Sequence, residues 1–86
     1  MSEEIKNLID NSPDKVVGLK QVLKGIIDDT LWCVIVSSDC DDFIKSMVAR
    51  EIGAKPIKLE SVSTMEELGR LCGIDVKAAV AGLVKN

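Results

Sequence analysis

Ile5, Leu8 and Ile9 recur at helical spacing behind Ser2 and two glutamates, which predicts a helix over Ser2 to Asn11. Asn11-Ser12-Pro13-Asp14 is turn chemistry and stops it. Lys15-Val16-Val17 is a short β-type run closed by Gly18. Leu19, Val22, Leu23, Ile26 and Ile27 then follow a helical stripe that Asp28-Asp29-Thr30 interrupts. Leu31 to Val36 is a continuous apolar run of six, the pattern of a strand buried on both faces. Ser37-Ser38-Asp39 offers capping side chains ahead of a second long helix, which buries Ile44, Met47, Val48 and Ile52 and ends at Gly53.

Pro56 to Leu59 predicts another short strand with Pro56 at its first position, and Glu60 to Ser63 a loop. Thr64-Met65-Glu66-Glu67 matches the capping box, in which Thr64 accepts from the helix start while Glu67 reaches back. Met65, Leu68, Leu71 and Cys72 form the buried face of that helix, and Gly73 stops it. Ala78 to Val84 is almost wholly apolar and fits a central strand better than a short helix. Helix and strand thus alternate four times, which predicts an α/β domain over residues 1–86. Its sheet is expected to be largely parallel or mixed, with helices on both faces.

Composition removes several kinds of function. The chain has 86 residues and only two aromatic ones, Trp32 and Phe43, so several bases stacked on exposed rings are excluded. There is no histidine, which removes Ser-His and Cys-His dyads and every histidine metal site. No catalytic site, metal site or cofactor is expected, and the protein is read as a non-enzyme. Eleven basic residues against fourteen acidic ones give a net charge of −3, so attraction by overall charge is not the route to an anionic partner. A local basic face is what remains.

Cys33, Cys40 and Cys72 are odd in number and widely spaced, as in a reduced cytoplasmic protein. Cys33 and Cys72 belong to the core by pattern; the pattern leaves the exposure of Cys40 open, and no Lys or Arg stands beside it to activate the thiol. The start Ser2-Glu3-Glu4 lacks the basic residues and apolar run of a signal peptide, and no apolar stretch approaches the roughly 18 residues of a membrane span. A cytoplasmic monomer with no membrane contact is expected.

The junction Val17-Gly18-Leu19-Lys20-Gln21-Val22-Leu23-Lys24 holds the clearest chemistry. Its apolar members point inward at helical spacing and leave Lys20, Gln21 and Lys24 outside, with the two lysines one turn apart. Gly18 lets another backbone approach, and the free N–H groups of a helix start attract anions. Gln21 both donates and accepts, as reading a base edge requires. The same residues also suit an ordinary solvated helix face. Asp39, Asp41 and Asp42 cluster after a strand, where helix capping is a simpler role than holding a divalent cation. Trp32 is expected to cover one end of the sheet; exposed, it would mark a protein contact.

Three segments together resemble one known family. G-x-K-Q-x-x-K after a short strand, Val34-Ile35-Val36-Ser37-Ser38-Asp39-Cys40-Asp41-Asp42, and Leu68-Gly69-Arg70-Leu71-Cys72-Gly73-Ile74-Asp75-Val76-Lys77-Ala78-Ala79-Val80 fall in order. They are similar to the L-seven-Ae and L-thirty-e type of kink-turn-binding ribosomal proteins, closest to its short bacterial members. The resemblance spans about Lys15 to Val84. It implies a three-layer α/β/α sandwich around a four-stranded mixed sheet. It also implies binding to structured RNA, a kink-turn or related internal loop, with ribosomal RNA among the candidates. The implied contact residues are Gly18, Lys20, Gln21 and Lys24 toward sheared G·A pairs and flanking phosphates. Val62 and Ser63 are implied in a loop over a base flipped out at the kink. The competing expectation is a protein-interaction module that keeps the fold without binding RNA, which the acidic balance favours.

Overall fold

Residues Ser2–Lys85, which the computed structural model describes, form α1 (Ser2–Asp10), β1 (Lys15–Val17), α2 (Leu19–Ile27), β2 (Leu31–Ser37), α3 (Asp42–Ile52), β3 (Lys58–Val62), α4 (Met65–Leu71) and β4 (Val80–Val84). The sheet order is β1-β4-β2-β3. Antiparallel β1–β4 and β4–β2 pairs and a parallel β2–β3 pair make it mixed. β1, β2 and β3 therefore run the same way, and β4 runs against them. The apolar C-terminal run is a strand, and a central one.

Helices cover both faces. Ile5 and Ile9 of α1 pack with Leu68 of α4 and with Cys72 on one side, against Cys33, Ile35, Ala81 and Leu83. Val22 and Ile26 of α2 pack with Val48 and Ile52 of α3 on the other, against Leu31, Val34, Val36 and Val80. This is the three-layer α/β/α sandwich with a four-stranded mixed sheet. The continuous apolar run of β2 and the apolar run of β4 follow from it, since both strands are covered twice.

Trp32 is the extra residue of a β-bulge, since Leu31 pairs with Val84 and Cys33 with the adjacent Leu83. The bulge puts Leu31 and Cys33 on opposite faces despite their two-residue spacing. Leu31 then fills the space beside Gly25 and Gly82, where an added Cβ would meet its side chain at 2.7 and 2.6 Å. Trp32 is half-buried and packs against the α1/α4 side of the core, not into solvent.

Two expectations need correcting. β3 begins at Lys58 and runs through Val62, so Glu60 to Val62 is strand and Pro56 lies outside it. Pro56 sits in the turn closed by the Ile57 amide donating to the Lys55 carbonyl at 2.8 Å. An edge strand with four of its five residues unburied has little apolar pattern to reveal its ends. Nor do Ser37-Ser38-Asp39 cap α3, whose N-cap is Asp41 without a side-chain bond. Ser37 Oγ donates to the Ala79 carbonyl at 3.1 Å, and Asp39 serves α4, 26 residues on.

Candidate nucleic-acid interface

Because β1, β2 and β3 are parallel, the segments that follow them leave the sheet at one end, and β4 enters there. Gly18, Ser38 and Ser63 succeed the three strands, and Ala78 and Ala79 precede the fourth. Backbone bonds tie these segments together. The Gly18 amide donates to the Val80 carbonyl at 3.0 Å, the Ser37 amide to Ala79 at 2.9 Å and the Ser38 amide to Val62 at 2.7 Å. From Gly18 to Ser63 the edge spans three strand spacings, roughly 14 Å.

Gly18 occupies the N-cap of α2 with φ 105° and ψ 152°, a conformation essentially confined to glycine. No atom lies within 4 Å of where its Cβ would be, so the backbone at the helix start faces open space. Val22, Gly25 and Ile26 are buried, which turns Lys20, Gln21 and Lys24 outward on the first two turns of the helix. Four of the six expected residues therefore share one accessible surface. Ser63 is exposed at the same sheet end.

Val62 departs from the expected arrangement. It closes β3 paired with Ser37, and at 6 % exposure it packs in the core with Leu68 and Ala78. In this conformation Ser63 and Thr64 form the exposed part of the loop, without an apolar tip. Alternation along β3 aims Val62 at α4, so the last aliphatic residue before the loop is a core residue.

Charge around the interface is arranged more favourably than the total. Lys24 Nζ lies 3.0 Å from Asp28 Oδ2, and Lys55 Nζ lies 2.9 Å from Asp29 Oδ1. The Lys55 ammonium holds the Asp29 carboxyl below its usual range through hydrogen bonding and charge. Both aspartates sit past the C-terminus of α2, about 13 Å of helix away from Gly18. At the sheet end itself, Lys45 donates to the Ser38 carbonyl at 2.6 Å and lies 3.7 Å from Asp42. On the other face of the sheet, a groove of about 750 Å³ between α1 and β3 is lined by Glu4, Glu60 and Glu67 with Lys58, and it reaches Ser38 and Ser63 at this same end. The α2 side is therefore the side suited to phosphate.

Asp39 is the residue that sequence reasoning misplaced. The Met65 amide donates to Asp39 Oδ1 at 2.8 Å, while the Glu67 amide donates to Thr64 Oγ1 at 3.0 Å, the expected Thr64 half of the capping box. Two free donors at the start of α4 are thereby satisfied from different chain segments. The signal lay in the position of Asp39 just past β2, beside the strand that leads into α4.

The cysteines carry no chemistry to this interface. Cys40, whose exposure the sequence pattern leaves open, is 6 % accessible, with Sγ 3.6 Å from the Asp41 carbonyl oxygen. Burial pushes the Cys33 thiol up to about 11 and raises that of Cys72 as well. Among the described residues, no helix is long and apolar enough to cross a membrane.

Gly18, the basic start of α2 and the polar Ser63-Thr64 loop lie at the carboxyl ends of parallel strands, the end at which open α/β sheets hold their ligands. The particular family follows from comparison with known proteins. The chain belongs to the ribosomal protein L7Ae/L30e/S12e/Gadd45 family, whose pattern matches residues 3–86. A relative from Caldanaerobacter subterraneus named as an RNA-binding protein is 39% identical over 69 residues, covering 80% of this chain and 84% of the relative. Another from Halalkalibacterium halodurans, also named as an RNA-binding protein, is 32% identical over 90% of this chain and 94% of its own length. Among solved structures, a 15.5kD RNA binding protein of Giardia lamblia superposes with a TM-score of 0.85 at 23% identity, over 99% of this chain and 74% of that one. A Bacillus halodurans protein of unknown function superposes at 0.80 with 25% identity, over 93% and 80% of the two chains.

Proposed function

We propose that this chain is a non-enzymatic RNA-binding domain that recognises a kink-turn-like internal loop by shape. The observation that carries the reading is the grouping of an open, positive-φ Gly18 with outward Lys20, Gln21 and Lys24 at one end of the sheet. Family membership and relatives named as RNA-binding proteins support it. An ordinary A-form major groove is too narrow for side chains, whereas a sharply kinked internal loop opens it. Lys20, Lys24 and the amides at the start of α2 hold phosphates, and Gln21 with the Gly18 backbone reads the edges of G·A pairs. Ser63 and Thr64 lie against an extruded base through polar contacts and backbone. The working place is the cytoplasm, as a stand-alone monomer or on ribosomal RNA, with residues 1–86 acting as one unit.

The test is titration of a kink-turn RNA at two salt concentrations beside a straight duplex of equal length. Selective binding that weakens as salt rises is expected, since phosphate contacts release counterions. Gln21→Ala and Lys24→Ala should each cost about 1–3 kcal/mol of affinity without unfolding the domain. Absence of selective binding at low salt would overturn the reading and favour a protein-interaction module. Exposure of Trp32 would have supported that alternative, and its indole packs against the core instead.

A further inference from the structure

Asp39, exposed at the sheet end, would by charge alone oppose an anionic ligand there. Its bonding describes a different role. Oδ1 accepts the Met65 amide at 2.8 Å, the first helical residue of α4 and the residue directly after Ser63-Thr64. The neighbouring Ser38 amide donates to the Val62 carbonyl at 2.7 Å, directly before Ser63. Two consecutive residues of the β2–α3 segment thus grip the β3–α4 loop on both sides. The Ala78 amide, donating to the Met65 carbonyl at 3.0 Å, fixes the same residue from a third segment.

The geometry points to Asp39 as a positioning residue for RNA recognition: its carboxylate sets the place of Ser63-Thr64 against an extruded base, acting through the Met65 amide. This rests on the RNA-binding reading above and deepens it. The Ser38 grip is main chain and survives any substitution, whereas the Asp39 grip is a single side chain. Loss of the carboxylate loosens the helix-side end of the loop, leaving Met65 held through its carbonyl by the Ala78 amide and α4 capped by Thr64.

Charge and positioning predict opposite signs, which makes substitution decisive. Asp39→Ala removes a negative charge and the acceptor, while Asp39→Asn removes the charge and keeps Oδ1. The experiment titrates the parent and both variants with a kink-turn RNA and with the same RNA made abasic at the extruded position, alongside thermal melts. Weakening of the alanine variant by about fivefold or more on the intact RNA, parent-like affinity of the asparagine variant, and little difference on the abasic RNA are expected. Tighter binding by both variants would overturn the inference and mark Asp39 as a repelling charge. Equal weakening on both RNAs would also overturn it, as the mark of general destabilisation. If the parent binds neither RNA, the RNA reading itself fails. Exchange of the Met65 amide then decides the anchor: fast exchange in Asp39→Ala alone upholds it, and unchanged exchange overturns it.

Discussion

Lys24, on the face proposed for RNA, has its Nζ 3.0 Å from Oδ2 of Asp28, which sits one helical turn on at the far end of α2. The lysine that would hold a phosphate is thus held by a carboxylate in the free protein. Both groups are substantially solvated, so the pair itself is weak and easily exchanged. Asp28→Asn should free Lys24 and strengthen RNA binding by about two- to fivefold at low salt. The gain should vanish in a Lys24→Ala background, and equal gains in both backgrounds would show that Asp28 acts through general charge.

Gly18 gives a prediction in which backbone, not contact, decides. An added Cβ meets nothing within 4 Å, so alanine would fit by volume. The conformation at φ 105° and ψ 152° is what alanine resists, at a cost of about 1–3 kcal/mol. Chemical denaturation of Gly18→Ala should show that loss. RNA affinity should fall as well, because relaxation of residue 18 re-aims the first turn of α2. A variant of unchanged stability would mean the strained conformation is not held in solution.

The parts of this fold that were legible are those whose burial is periodic. Ile5-Leu8-Ile9 and Leu19-Val22-Leu23-Ile26 announce their helices because one stripe of each meets the sheet. The runs through Leu31–Val36 and Val80–Val84 announce doubly covered strands. β3 was misread because an edge strand carrying Lys58, Glu60 and Ser61 has one buried residue and no pattern. The α2 part of the site was legible because its residues are contiguous. Asp39 was not, because its partner lies 26 residues away and only the parallel β2–β3 pairing brings them together. Trp32 likewise reads as an end cap until the one-residue bulge turns it toward the α1/α4 core.

Gly69 explains part of the segment that made the family recognisable. A Cβ there would collide with the Val76 carbonyl oxygen and lie 3.1 Å from Lys77 Cα, both main-chain atoms. The strand-entry segment therefore lies directly on α4. Gly69→Ala should destabilise the domain by at least about 2 kcal/mol, since backbone must move to admit the methyl group. A thermal or denaturant melt within experimental error of the parent would refute that packing.

Cys33 makes stability fall in alkali. Its folded thiol titrates near 11 against a reference value of 9.0, chiefly through burial and then through Glu60, with Lys58 opposing. Above pH 9 the unfolded chain loses this proton first, so the folded state binds more protons and stability declines as pH rises toward 11. The full effect is about 2–3 kcal/mol, complete only above the folded value. Cys33→Ala should be less stable at neutral pH because of the cavity, yet lose less between pH 9 and 11 than the parent. Parallel curves for the two proteins would mean that the thiol is not the group responsible.

Val62 separates a core residue from a recognition residue. Family resemblance puts it over a flipped base, whereas at 6 % exposure it packs with Leu68, Ala78 and Ile35. Truncating a buried Val to Ala removes two methylene-sized groups and leaves a small cavity, a loss of about 1–3 kcal/mol. Val62→Ala should therefore lower the unfolding free energy by that amount. RNA affinity, measured well below the melting temperature, should fall less than for Gln21→Ala. Binding lost as severely as with Gln21→Ala, at undiminished stability, would show that the loop opens on RNA and brings Val62 out. Such opening would trade the hydrophobic contact with α4 for one with a base, and the binding heat capacity would register the exchange.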